Sequence, residues 1–83
     1  MDKEMLAKAR ERARWHSRRG LLELDLLLEK FLAQRLEHMD ANELQLYDEM
    51  LLLPDNELLD IAMGRKAPPD DRTGAIFALL RAL

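Results

Sequence analysis

Apolar side chains recur at the three- and four-residue spacing of α-helices, and glycine and proline separate the periodic segments. The first segment runs from about Lys3 to Ser17, and the second from about Leu21 to His38. The apolar stripe of the first consists of Met5, Leu6, Ala9 and Ala13. The broad apolar face of the second consists of Leu21, Leu24, Leu28, Phe31 and Leu32, with Leu27 and Leu36 at its margins. Both segments are therefore predicted helices, the second being the central core element.

Two further helices have recognisable starts. Asp40, with Glu43 three residues later, is typical of a capped N-terminus and predicts a third helix to about Leu53. Its buried face is expected to consist of Leu44, Tyr47 and Leu51. Pro54 then ends one helix and starts the next, which extends to about Met63 and is closed by a glycine.

The last predicted helix follows a connector at residues 65–69, because Pro68 and Pro69 cannot continue a helix. Asp70 is its expected N-cap. Its inward side chains are expected to be Ile76, Phe77, Leu80 and Leu83. The composition agrees with helices, since 19 residues are leucine and β-branched residues are scarce. We expect an all-α fold, with residues 1–83 forming a single small five-helix bundle.

Charge and cysteine content narrow the possible functions. The net charge of -3 divides into +4 over residues 1–19, -9 over residues 20–64 and +2 over residues 65–83. The acidic middle would repel a phosphate backbone, so we expect no nucleic-acid partner. The chain has no cysteine, no apolar signal segment and no run long enough to span a bilayer. We expect a cytoplasmic protein without membrane insertion.

The sequence contains no recognisable catalytic or metal-binding pattern. His16 and His38 lie on different predicted helices without metal-ligand spacing, and we expect both to be structural or solvent-facing. Ser17 and Thr73 are the only hydroxyl residues of their types, and neither lies in a glycine-flanked elbow. The glycines form no phosphate loop. We therefore expect no catalytic residue, no metal and no cofactor-binding residue.

A mixed-charge cluster at the junction of the first two helices is the main candidate site. Gly20 follows Arg18 and Arg19 and fits a left-handed cap of the first helix. Asp25 falls at the edge of the apolar sector, which favours a structural ion pair with an arginine of the first helix. Glu23 lies on the opposite side of the second helix, where it either stabilises the helix dipole or joins a binding patch.

Three large apolar residues surround this cluster. Trp15 lies one turn before the junction and is expected to anchor one helix against another. Leu22 and Leu26 lie beside Glu23, away from the main core face. Either another helix of the bundle or a partner protein covers them.

Residues 15–25, with the pattern Arg19-Gly20-x-x-Glu23 followed by Leu-Asp, resemble the signature of the succinate dehydrogenase flavinylation factors, the SdhE or FAD assembly factor family. The resemblance extends from about residue 10 to residue 83. Its later landmarks are Phe31, Asp40, the Pro54-Asp55 break and the Pro68 to Asp70 entry to the last helix. One departure is Ile61, where family members often carry a tryptophan.

The resemblance implies a five-helix assembly chaperone that is not itself an enzyme. Such a protein binds the flavoprotein subunit of succinate dehydrogenase, or of fumarate reductase, and promotes covalent attachment of FAD to a histidine of that subunit. By position, Arg19, Gly20 and Glu23 are the functional motif, with Arg18 and Asp25 in support. The chain itself is expected to be a monomer and to hold no cofactor of its own.

Two alternatives come from other classes. A small all-α enzyme of the chorismate-mutase type would use arginines that point into the bundle, but Arg10, Arg12 and Arg14 cannot share one helix face. An RNA- or anionic-surface-binding module would use the basic first helix, against the repulsion of the acidic middle segment.

Overall fold

A computed structural model describes residues 3–83 and contains five α-helices with a single 3-10 turn. The helices are α1 (Lys3–His16), α2 (Leu22–Arg35), α3 (Ala41–Met50), α4 (Asp55–Ala62) and α5 (Asp71–Arg81), and the 3-10 turn is Leu36–His38. Within residues 3–83 there is no β-strand. The predicted all-α, five-helix fold is confirmed.

The core lies around α3, which packs against α1 and α5, while α2 packs against α4 and α5. Its centre is a stacked aromatic pair, Phe31 of α2 and Tyr47 of α3, with ring centroids 5.6 Å apart and planes 9° from parallel. The other fully buried large side chains include Leu24, Leu28, Met50, Leu58, Ile61, Ile76 and Phe77. The apolar faces predicted for α2, α3 and α5 are thus the faces that form the core.

The predicted N-caps of α3 and α5 are confirmed. The Asp40 carboxylate accepts a hydrogen bond from the Glu43 backbone N–H at 2.8 Å, and the Asp70 carboxylate accepts one from the Thr73 backbone N–H at 2.7 Å. The Thr73 hydroxyl donates to the same Asp70 oxygen. These bonds to the charged carboxylate hold the pKa of Asp70 below its usual value.

Three helices differ from the prediction in detail. α3 ends at Met50 and not at about Leu53. α1 exposes Met5, so the predicted apolar stripe is wrong at that position. The last turn predicted for α2 is the 3-10 turn instead. The Arg10 guanidinium donates to the carbonyls of Leu36 at 3.2 Å, Glu37 at 3.1 Å and Met39 at 3.4 Å. A side chain of α1 therefore satisfies carbonyls that a continuing α-helix would have used.

Candidate partner-binding site

The segment that links α1 to α2, residues 17–21, is here called the α1–α2 junction. Gly20 has φ +82°, and a Cβ placed on it would meet nothing within 4 Å. The predicted left-handed conformation is confirmed, and it is the backbone rather than a lack of space that favours glycine. The predicted role as the cap of α1 is wrong, because α1 ends at His16 and the Gly20 N–H bonds forward to α2.

The Asp25 carboxylate, on the first turns of α2, holds this junction. Its two oxygens accept the backbone N–H groups of Arg19 at 2.8 Å and Gly20 at 3.1 Å. The predicted ion pair with an arginine side chain of α1 is therefore wrong. The backbone N–H groups of the loop donate charge-assisted hydrogen bonds to the half-buried carboxylate, and these bonds satisfy its two oxygens.

The Arg19 side chain points away from solvent and binds a distant part of the chain. Its Nε donates to Asp55 Oδ1 at 2.8 Å, and its Nη2 donates to the Leu53 carbonyl at 3.3 Å. Only 21% of the side chain is exposed. We call this set, Arg19 with Leu53 and Asp55, the Arg19 clamp. It joins the α1–α2 junction to the turn between α3 and α4.

Sequence reasoning missed Asp55 as a member of this arrangement. Its signal was present, because a carboxylate directly after Pro54 marks a helix start, but that signal is local. Nothing in the spacing of residues 19 and 55 indicates that their side chains meet.

Three of the predicted site residues, Arg18, Gly20 and Glu23, are exposed. The Arg18 guanidinium lies over the ring of Trp15, 5.2 Å from its centroid, in a cation–π contact. Glu23 is exposed and has no hydrogen-bond or ion-pair partner within residues 3–83. Its carboxylate is therefore available on the outer face of α2, whereas Arg19 and Asp25 lie behind the surface.

The large apolar residues beside the junction are uncovered. Trp15 is 63% exposed, so its predicted role as a helix–helix anchor is wrong; it points to the side of α1 opposite Ala13. Leu22 is 72% exposed and Leu26 is 56% exposed. Within residues 3–83 no helix covers them, which leaves a partner as the remaining alternative from the sequence.

A groove of about 780 Å³ continues from the junction between α1 and α2. Arg18 and Gly20 line it near the junction, and Glu29, Leu32 and Ala33 line its α2 side. The groove exists because α1 lies on α3 and makes few contacts with α2. The junction is therefore the mouth of a cleft and not a closed helix corner.

A buried polar pair supports the junction from below. The Ser17 hydroxyl donates to the Ala13 carbonyl at 2.6 Å and is hydrogen-bonded to the Tyr47 hydroxyl. Since a serine has one hydroxyl hydrogen, the Tyr47 hydroxyl is the donor of the second bond. Burial raises the pKa of Tyr47 to about 12.

The arginines of α1 bind separate partners and do not converge. Arg10 binds carbonyls at the end of α2, Arg12 lies 3.5 Å from Asp48, and Arg14 lies 3.3 Å from Glu11. An enzyme of the chorismate-mutase type would need several of them around one interior cavity. In the described part of the chain, no three acidic, histidine or cysteine side chains group as metal ligands, and no helix is long and apolar enough to cross a membrane.

A helix junction held by hydrogen bonds, with uncovered apolar side chains beside it, is typical of protein-binding domains. The family model described as "Flavinator of succinate dehydrogenase" matches residues 11–83, which include the whole junction. The chain therefore belongs to this family of assembly factors, and the resemblance inferred from residues 15–25 is confirmed. No solved structure matches the chain.

Individual relatives agree with the family assignment. The FAD assembly factor SdhE of Coxiella burnetii is 33% identical over 75 residues, which cover 90% of this chain and 92% of that protein. The FAD assembly factor SdhE of Legionella pneumophila (strain Paris) is 43% identical over 61 residues, 71% of this chain and 77% of the relative. The mitochondrial succinate dehydrogenase assembly factor 2 of Aedes aegypti is 38% identical over 81 residues, 94% of this chain and 50% of the mosquito protein.

Ile61, the departure from the family pattern, lies in the core. Its side chain is fully buried in α4, and its carbonyl accepts a hydrogen bond from Arg81 at 2.8 Å. At this position the side chain therefore contributes to packing of the interior and not to the surface.

Proposed function

We propose that this protein binds the flavoprotein subunit of succinate dehydrogenase and promotes the covalent attachment of FAD to it, without being an enzyme or holding a cofactor itself. The observation that carries the proposal is the Arg19-Gly20-x-x-Glu23 junction in a member of the flavinator family. Its outer residues are open to a partner, and its inner residues are fixed by the fold.

The site residues divide into two roles. Arg18, Gly20 and Glu23 are the contact residues, because they are exposed at the junction. Arg19 and Asp25 are positioning residues, which act through the Arg19 clamp and through the two bonds to loop amides. Apolar contact area next to Glu23 comes from the exposed leucines Leu22 and Leu26. A rigid surface of this kind binds without ordering a loop, which removes one cost of association.

The contribution to flavinylation is orientation. The chemistry is that of the client, in which a histidine bonds to FAD. A partner that fixes the client's reacting groups in a productive geometry can lower the barrier by roughly 7–11 kcal/mol at most, without a catalytic side chain of its own. The junction is suited to this because both of its ends are anchored to helices.

The test is a reconstitution with purified components. The flavoprotein subunit is incubated with FAD, with and without this protein, and covalent flavin is read as in-gel fluorescence. We expect faster covalent attachment in the presence of the protein and a loss of that effect with Glu23→Gln. The matched control is Glu4→Gln, which changes an exposed glutamate near the start of α1, about 18 Å of helix away from the junction. Flavinylation that is indifferent to the protein would refute the proposal.

Three finer expectations belong to the same proposal: action on the fumarate reductase flavoprotein, a monomeric state and a cytoplasmic location. The first is measured by repeating the flavinylation assay with that subunit. The second is measured by light scattering on the purified chain, and the third by fractionation of the native cell.

A further inference from the structure

The most exposed large apolar side chain of the described residues lies in the turn between α3 and α4, outside the family motif. Leu52 is 84% exposed, although its neighbours Leu51 and Leu53 pack into or against the core. Three consecutive leucines cannot all face inward at the end of a helix, and Leu52 is the one that faces solvent.

The fold places this leucine next to the α1–α2 junction. Leu52 directly precedes Leu53, whose carbonyl accepts a hydrogen bond from Arg19 Nη2 at 3.3 Å. Asp55, three residues after Leu52, pairs with Arg19 Nε at 2.8 Å. The Arg19 clamp therefore holds the α3–α4 turn and the Gly20 junction at the same end of the molecule, in a fixed relation to each other.

The chemistry between the two segments suits a partner with an apolar surface. The Arg19 and Asp55 charges compensate each other, and this pair joins the basic first segment to the acidic middle segment. The clamp also leaves Pro54 exposed beside Leu52. An apolar, charge-compensated centre bordered by charged side chains is the arrangement found in protein–protein interfaces.

We propose that the α3–α4 turn is a second contact of the docking surface and that Leu52 inserts against an apolar patch of the same flavoprotein client. The proposal rests on the proposed function and extends its interface beyond the Arg-Gly-x-x-Glu motif. In this arrangement Arg19 serves both segments, because one guanidinium fixes the distance between Gly20 and Leu52. The client then contacts both Gly20 and Leu52, which are 32 residues apart in sequence.

The experiment compares Leu52→Ser with Met63→Ser. Met63 is also an exposed apolar residue, 48% accessible, but it follows the far end of α4 and lies away from the clamp. Binding to the purified flavoprotein subunit is measured by titration calorimetry. We expect Leu52→Ser to weaken binding roughly tenfold and Met63→Ser to leave it unchanged. Because both side chains are exposed, both variants should keep the melting temperature of the wild type.

Other outcomes separate this proposal from the proposed function. If Glu23→Gln weakens binding and Leu52→Ser does not, the motif docks the client alone and the inference about Leu52 is overturned. If Leu52→Ser instead abolishes a concentration-dependent self-association seen by light scattering, with client binding intact, Leu52 belongs to a contact between copies of this chain and the inference is again overturned. Failure of the wild-type chain to bind the subunit would refute the proposed function itself.

Discussion

Gly20 lies between α1 and α2, and Gly64 lies between α4 and α5. Both glycines have a left-handed conformation, but different hydrogen bonds hold them. Gly20 has φ +82° and Gly64 has φ +80°, and a Cβ at either position would meet nothing within 4 Å. Each glycine is next to an arginine that pairs with an aspartate, Arg19 with Asp55 and Arg65 with Asp60. Backbone geometry alone therefore does not distinguish the two junctions.

The bonds around the two glycines do distinguish them. At Gly64, the glycine N–H donates to the Ile61 carbonyl at 3.0 Å and the Arg65 N–H donates to the Asp60 carbonyl at 2.8 Å, which is the Schellman closure of α4. At Gly20, the N–H donates to the side chain of Asp25 at 3.1 Å. The first junction is closed by the helix that it ends, and the second is held by the helix that it precedes.

The anchoring arginines differ in the same way. Arg65 binds within its own junction and its side chain is 60% exposed, whereas Arg19 reaches 36 positions along the chain and is 21% exposed. A glycine turn whose only purpose is to end a helix needs local bonds alone. The long-range bonds of Arg19 hold the Gly20 junction in place, as the proposed partner-binding site requires.

The largest expected effect is on client binding, from Gly20→Arg compared with Gly64→Arg. An L-residue in the left-handed region is strained, so each variant should be destabilised by about 1–2 kcal/mol. Only Gly20→Arg also places a long side chain in the proposed contact surface. We expect it to weaken binding of the flavoprotein subunit by at least about a hundredfold, or about 2.7 kcal/mol. The measurements are thermal unfolding and titration calorimetry.

Gly64→Arg is the control for backbone strain. If both variants lose binding in proportion to their loss of stability, strain explains the result and Gly20 is only structural. If Gly20→Arg is folded and binds normally, the junction is not in the interface.

A second, smaller effect is expected on stability, from Arg19→Ala compared with Arg65→Ala. Arg19→Ala leaves the half-buried Asp55 carboxylate and the Leu53 carbonyl without their donor, and we expect a loss of about 2 kcal/mol in the free energy of unfolding. Arg65→Ala removes an exposed pair and should cost about 0.5 kcal/mol or less. Urea denaturation measures both. Equal costs would show that the Arg19 clamp contributes no more than a surface ion pair.

The features that sequence predicted correctly are those set by nearby residues. The caps at Asp40 and Asp70 each bond a backbone N–H three positions along the chain, and the left-handed conformation of Gly20 and the closure of α4 at Gly64 are set by local geometry. The apolar faces follow from helical periodicity. This was sufficient for the fold and for the position of the junction within it.

The features that sequence missed depend on distances through space. The sequence predicts an arginine partner for Asp25, because the loop amides that bind this carboxylate have no signature in the sequence. It predicts that Trp15 lies between helices, but α1 packs on α3 through the small residues Ala9 and Ala13, and the indole points outward. The contact of Arg19 with Asp55 depends on how three helices pack together, and spacing along the chain does not show this. The family resemblance supplied the motif but not these roles.

A third effect, smaller than that of Arg19→Ala at neutral pH, is expected from Tyr47→Phe, which tests the buried support below the Gly20 junction. The change removes the hydrogen bond to Ser17 and should cost about 1 kcal/mol at pH 7, measured by urea denaturation.

At high pH the wild type should lose its stability advantage over Tyr47→Phe. Burial raises the pKa of Tyr47 from 10.0 to about 12, so the folded protein keeps a proton that the unfolded chain has lost. Wild-type stability should therefore fall between pH 10 and 12, by up to about 1.4 kcal/mol per pH unit. Tyr47→Phe should lack that part of the decline, and an unchanged slope would place the alkaline titration elsewhere.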